Sequence, residues 1–317
     1  MGNTDLRDLA AIREISPEEL AGGTVAVDFH NWLYRYLTII TKFTDEAAYT
    51  TSDETEVPNL LGIMQGLPKF TELGLQPVFV FDGEVLELKE DEMQRRRERK
   101  EDAKARLVEA KEAGNEELAA RLRARTQRLT PTILETSREI LDILDMPVVE
   151  APTEAEAQAA HIAKRDDVDF VGTEDYDALL FGAPMTLRKL TSSDGTECME
   201  LEPTLADLDV TLPQLVDIAI LCGTDYNDGV HGIGPKTALK KISAGTTVEE
   251  ILADRDAEIE QLDVIRDIYL DPSVTDEYSI EWDWAPDFEQ ARSYLTEEWE
   301  IPAGRIETSF EKLESEA

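Results

Sequence analysis

Residues 24–29, Thr-Val-Ala-Val-Asp-Phe, form a short apolar run that carries an acid at Asp28. The run has the length of a buried strand, and the spacing of Trp32, Leu33, Tyr36, Leu37 and Ile40 behind it predicts a helix. The unit recurs. Pro77–Phe81 predicts a second buried strand, closed by Asp82-Gly83. A helix is expected over Thr153–Lys164, and then a third strand over Asp169–Gly172, leading into Glu174-Asp175-Tyr176-Asp177. Strands alternating with helices predict an α/β core with a largely parallel sheet. Open sheets of this kind bind ligands outside the carboxyl ends of their strands, so acids placed there carry information.

Between Glu84 and Arg128 the character changes. Gln94–Arg128 holds 12 Lys or Arg against 7 Asp or Glu, a net of +5 that leaves −43 for the rest of the chain. Gly114-Asn115 near its middle suggests two helices joined by a turn, and Thr130-Pro131 reads as an N-cap with proline at the first helical position. Solvated helices laced with i,i+4 pairs are the plain alternative to a functional basic insertion. Further on, Leu212–Leu221 predicts an apolar helix, followed by Gly223-Thr224-Asp225-Tyr226. Gly232-Ile233-Gly234-Pro235-Lys236 then reads as a glycine hairpin opening a helix at Pro235. Backbone N–H groups at such a helix start can hold a phosphate without reading bases.

The 317 residues suffice for a sizeable core, and 42% of them are hydrophobic. Asp and Glu number 69 against 31 Lys and Arg, a formal charge of −38. The acids are spread between periodic apolar segments, which argues against disorder and for a surface solvated in concentrated salt. Self-repulsion of that size strains a fold in dilute buffer and is screened at molar salt. Cys198 and Cys222 are too few for a disulfide framework or a cysteine zinc site, so both are expected as buried free thiols. The opening MGNTDLRDLAAIREI is neither a signal sequence nor a membrane span, and Leu6 stands where myristoylation wants Ser or Thr. A soluble protein of a salty cytoplasm, without a membrane partner, is the expectation.

Five strings then stand in order: VAVDFH, VFVFDG, APTEAEAQAA, GTEDYDALLFG and ILCGTDYNDGVHGIGPKTA. Together they resemble the flap endonuclease branch of the structure-specific 5′ nucleases, the xeroderma pigmentosum group G type, from Gly2 to about Lys312. The resemblance implies a twisted, mostly parallel sheet flanked by helices in a PIN-like nuclease core. It implies one nuclease domain over 1–317: an N-terminal region 1–83, a basic helical arch 84–130, an internal region 131–225, and a helix-two-turn-helix with the rest of the core over 226–317.

The resemblance also implies site residues. Asp28, Asp82, Glu154 and Glu156 would surround one magnesium, and Asp175, Asp177 and Asp225 a second. Clustered carboxylates are unstable without cations, and magnesium takes hard oxygen ligands while keeping several waters. With three His and two Cys in the chain, zinc is a poor candidate. For Glu156 the alternative is a capping box with Thr153. Lys89 and Arg96 match the basic pair that polarises the scissile phosphate, surface ion pairs being the alternative. Tyr34 matches an aromatic that stacks on a nucleobase, a core position on its helix being the alternative. Gly232, Gly234 and Lys236 match the helix-two-turn-helix that grips the duplex backbone. Similar proteins hold potassium there, although Gly229 stands where the family has a Ser ligand, leaving only carbonyls.

The expected activity is cleavage of single-stranded 5′ flaps on branched DNA in replication and repair, by a monomer. Related 5′→3′ exonucleases and bubble-cutting enzymes share the carboxylates. A non-catalytic DNA-binding scaffold would have lost them. An acidic calcium binder would carry an Asp-x-Asp-x-Asp-Gly loop with a distal Glu, which is absent. The family differs in having Lys where Glu84 stands, Pro-Pro where Val85-Leu86 stands, and usually a sliding-clamp-binding tail, of which no string appears here.

Overall fold

A computed structural model of the chain describes residues 4–84, 86, 88, 129–192 and 195–315. Among these, seven strands form one sheet: β1 (Ala11–Ile15), β2 (Thr24–Asp28), β3 (Gln76–Phe81), β4 (Val148–Glu150), β5 (Phe170–Gly172), β6 (Met185–Arg188) and β7 (Thr196–Glu200). Their order across the sheet is β1-β7-β6-β5-β2-β3-β4. Strands β4, β3, β2, β5 and β6 run parallel, while β7 is antiparallel to both β6 and β1. The three strands read from the sequence thus lie side by side at the centre.

Alternation explains why the sheet is covered on both faces. Val25, Val27, Phe79 and Phe81 point into one core, while Ala26, Val78 and Val80 point into the other. On the first face lie α2 (Phe29–Phe43), α3 (Pro58–Leu73), α4 (Pro131–Ile143), α12 (Phe288–Ser293) and α13 (Glu307–Glu314), following the four-residue α1 (Pro17–Leu20). The other face is packed by α5 (Ala155–Lys164), α6 (Asp177–Leu180), α8 (Leu212–Cys222), α9 (Pro235–Ser243), α10 (Val248–Arg255) and α11 (Leu262–Leu270), with α7 (Leu201–Leu208) beside β1. Phe29 stacks on Phe81 at 4.0 Å between ring centroids, which binds the start of α2 to the end of β3.

Caps fix the helix starts. Thr130 accepts from the Ile133 N–H with Pro131 in the first turn, as the sequence predicts. The helix expected from Thr153 starts two residues later, because the Thr153 carbonyl accepts from the Gly83 N–H at 2.7 Å. Gly83 has no room for a side chain there, since a Cβ would meet the Ala151 carbonyl oxygen at 2.1 Å. Cys198 is buried, and burial pushes its thiol up to about 11. Cys222 differs from expectation: it ends α8 half-exposed. Among the described residues no helix is long and apolar enough to cross a membrane. Most of the expected arch 84–130, including Lys89 and Arg96, lies outside the described residues.

Candidate active site

The parallel strands end together, and the acids follow them. Asp28 is the last residue of β2 and caps α2, its Oδ1 accepting from the Asn31 N–H at 3.0 Å. Only 7% of it is exposed. Asp82 follows β3. Its Oδ1 accepts from the Ala155 N–H at 2.8 Å and its Oδ2 lies 2.5 Å from His30 Nδ1, so one carboxylate ties β3 to the starts of α2 and α5. Glu154 is the residue just before α5, and Glu156 is in its first turn. Asp175 and Asp177 follow β5, and Asp177 is buried.

Electrostatics show how closely these groups are set. Burial first, then the charges of Asp82 and Asp175, push the Asp28 carboxyl up to about 7. Glu156 is raised well above the carboxylate range by burial and then by Asp175, Asp28 and Asp177. One desolvated cluster therefore spans both expected groups of acids. Asp225 joins from another side. The Tyr269 hydroxyl, buried on α11, donates to Asp177 Oδ2 at 3.3 Å, and its pKa is raised by burial and by the charges of Asp177 and Asp225. Thr224 closes the tight turn bearing Asp225, bonding the Asn227 side chain at 2.8 Å.

The capping-box alternative for Glu156 fails. Glu156 accepts instead from the Thr173 hydroxyl at 2.8 Å, across the cluster. The core alternative for Tyr34 fails too: it is 36% exposed, whereas Tyr36 on the same helix is buried. Gly232 and Lys236 are exposed and Gly234 caps α9, so the hairpin presents its helix start to solvent. At Gly229, where φ is +71°, a Cβ would come within 2.5 Å of the Cys222 carbonyl carbon, so this turn has no room for the family's serine.

Three residues escape sequence reading. Asn31 donates to Asp175 and accepts from the Glu174 N–H. Thr173 serves Glu156, and His30 meets Asp82. Burial pulls the His30 imidazole down, but its hydrogen bond to Asp82 and the charge there outweigh this and raise it; its Nε2 is buried without a hydrogen bond. The signal for His30 and Asn31 is their place in the first helical turn after Asp28, within reach of whatever Asp28 faces.

Among the described residues no three His, Cys, Asp or Glu stand close enough to form a finished ion cage. The donors nevertheless fit a divalent cation. All seven are carboxylates, they are partly or fully buried, and their mutual repulsion shows in the raised Asp28 and Glu156. Hard oxygen donors of this kind suit magnesium.

Two family models match the chain, the XPG N-terminal domain over residues 3–103 and the XPG I-region over 145–225. The chain is 52% identical to Flap endonuclease 1 of Haloarcula marismortui over 314 residues, 99% of this chain and 96% of that protein. It is 53% identical to Flap endonuclease 1 of Halobacterium salinarum, covering 100% and 97%. The solved structure of flap endonuclease-1 from Methanococcus jannaschii superposes with a TM-score of 0.76 at 34% identity, covering 98% of each chain. With likeness of this degree running the whole length, this chain belongs to the flap endonuclease family.

Proposed function

We infer that the protein is a structure-specific 5′ nuclease that hydrolyses phosphodiesters where a single-stranded 5′ flap leaves a DNA duplex. The observation that carries this reading is the buried carboxylate cluster at the ends of β2, β3 and β5, in which Asp28 is raised to about 7 by burial and by its neighbours. Structural proteins avoid such repulsion; a site that recruits cations to a phosphate uses it.

In this reading Asp28, Asp82, Glu154 and Glu156 hold one magnesium, and Asp175, Asp177 and Asp225 a second. When bound, the pair supplies Lewis acidity towards the scissile phosphate and a nucleophilic water at neutral pH. The chain supplies position. Asn31, Ala155, Thr173 and Tyr269 each fix a carboxylate oxygen, so few rotamers are lost when DNA arrives. Lys89 and Arg96, which lie outside the described residues, would polarise the scissile phosphate. Tyr34, on the exposed side of α2 six residues after Asp28, offers a ring for the unpaired base at the junction. Gly232, Gly234 and Lys236 hold a phosphate of the duplex at the start of α9. Contacts of these kinds read shape and bending, not sequence. Potassium at the hairpin has only carbonyl ligands to use.

Cleavage of flap, bubble, gapped and blunt duplexes side by side, with and without magnesium, tests the reading. Magnesium-dependent cutting at the flap junction is expected to dominate. Preferred end-first digestion of blunt duplexes would make the protein an exonuclease of the same family, and binding without cutting would make it a scaffold.

A further inference from the structure

We propose that Arg188 is a positioning residue that fixes the loop bearing Asp175 and Asp177 and so sets the affinity of the site for magnesium; this rests on the function inferred above. Arg188 ends β6, next to β5 in the sheet, and only 10% of its side chain is exposed. Its Nε and Nη2 both donate to the Glu174 carbonyl, at 3.2 and 3.0 Å. Nη1 donates to the Tyr176 hydroxyl at 2.6 Å, and the guanidinium carbon lies 4.1 Å from the centroid of that ring. The carboxylates of Glu174 and Glu197, at 3.8 and 3.5 Å, balance its charge. A buried cation is costly unless its donors are matched, and here a planar fork is matched on both sides of one residue, Asp175.

The consequence for the site follows from the backbone. The Glu174 carbonyl and the Asp175 N–H belong to one peptide unit, so holding the first orients the second. The Asp175 N–H meets Thr173 Oγ1 at 3.2 Å, and that hydroxyl donates to Glu156 at 2.8 Å. On the other flank, the anchored Tyr176 leads directly into Asp177 at the start of α6. Glu174 is itself clamped, by the Lys189 N–H at 2.7 Å and by Arg35 of α2 at 2.9 Å. Arg188 therefore acts through Glu174 and Tyr176, holding two carboxylates near others that repel them. Without the fork the loop is free to relax outward, and a cation must then draw it back before binding.

Arg188→Lys keeps the charge and removes the fork; Tyr176→Phe keeps the ring and removes one acceptor. Magnesium binding to each purified protein, without DNA in roughly molar potassium chloride, is measured by titration calorimetry, beside thermal unfolding and flap affinity. Arg188→Lys is expected to weaken magnesium binding about 10–100-fold, Tyr176→Phe less and in the same direction, with flap affinity unchanged. Cleavage by both variants should recover as magnesium is raised. A folded Arg188→Lys protein with wild-type magnesium affinity would overturn the proposal. Should Arg188→Lys fail to fold, unaltered magnesium affinity in Tyr176→Phe would overturn it equally. Wild-type protein that takes up no magnesium would sink the inferred function and this proposal with it.

Discussion

The side chain of Asn31 donates to Asp175 Oδ2 at 3.0 Å, joining the first turn of α2 to the loop after β5 across 144 residues of sequence. The same side chain accepts from the Glu174 N–H at 3.3 Å, so the amide spans one peptide of that loop. Replacing it with Leu leaves Asp175 with one fewer donor and the Glu174 amide without this acceptor. Asn31→Leu is expected to lower the single-turnover cleavage rate about 10–100-fold while junction binding stays close to wild type. An unchanged rate would show that Asp175 holds its place without help.

Asp175 itself is expected to be indispensable. Asp175→Ala should abolish cleavage at saturating DNA, while binding to the flap junction survives. The reason is that its carboxylate faces the acid cluster, where it raises both Asp28 and Glu156. Near-normal turnover would remove it from the site.

Arg96 lies outside the described residues. If it neutralises charge developing on the phosphate, Arg96→Ala lowers the single-turnover rate about 10²–10³-fold and leaves duplex affinity little changed. Equal loss of both would make it an ordinary backbone contact.

Magnesium and protons should compete. Asp28 rises from the ordinary 3.8 to about 7, so between those values the folded protein holds a proton that the unfolded chain has released. Its contribution to stability is therefore greatest at low pH and is lost as pH climbs through that window. A cation must displace the proton, so magnesium binding should tighten from about pH 6 to about pH 8 and release protons as it does. Titration calorimetry in buffers of differing ionisation enthalpy counts them. Binding that is independent of pH, with no proton release, would mean that the cluster is already fully ionised.

Salt pulls two ways. Phosphate contacts made by Lys and Arg release counterions and weaken as salt rises, whereas a fold of charge −38 loosens as salt is withdrawn. An enzyme working in molar salt must lean on backbone N–H groups, stacking and its cations. The activity optimum should lie at or above roughly molar potassium chloride, with a slope of log affinity against log salt shallower than about −4. Anisotropy across a salt series, with circular dichroism at each point, measures both. Full folding and best activity at low salt, with a steep slope, would overturn the high-salt reading and leave the nuclease assignment standing.

The sequence by itself determined the central strands, the acids at their ends and the apolar periods behind them, because each is a local matter. A strand's burial shows in an unbroken run such as Thr24–Phe29, a helix in its period, a cap in Thr130-Pro131. The order of the sheet, the antiparallel edge of β7 and β1, and the half-exposure of Cys222 had no local signal. Tertiary structure alone removed the capping box for Glu156 and the core position for Tyr34, since a capping box and a bond to Thr173 require the same glutamate, and a core and a surface tyrosine can share one helix. It alone disclosed His30, Asn31, Thr173 and Arg188. Their work is done across the sheet, on partners distant in sequence, and hydrogen-bond geometry between such partners is fixed only when the strands that carry them are packed side by side.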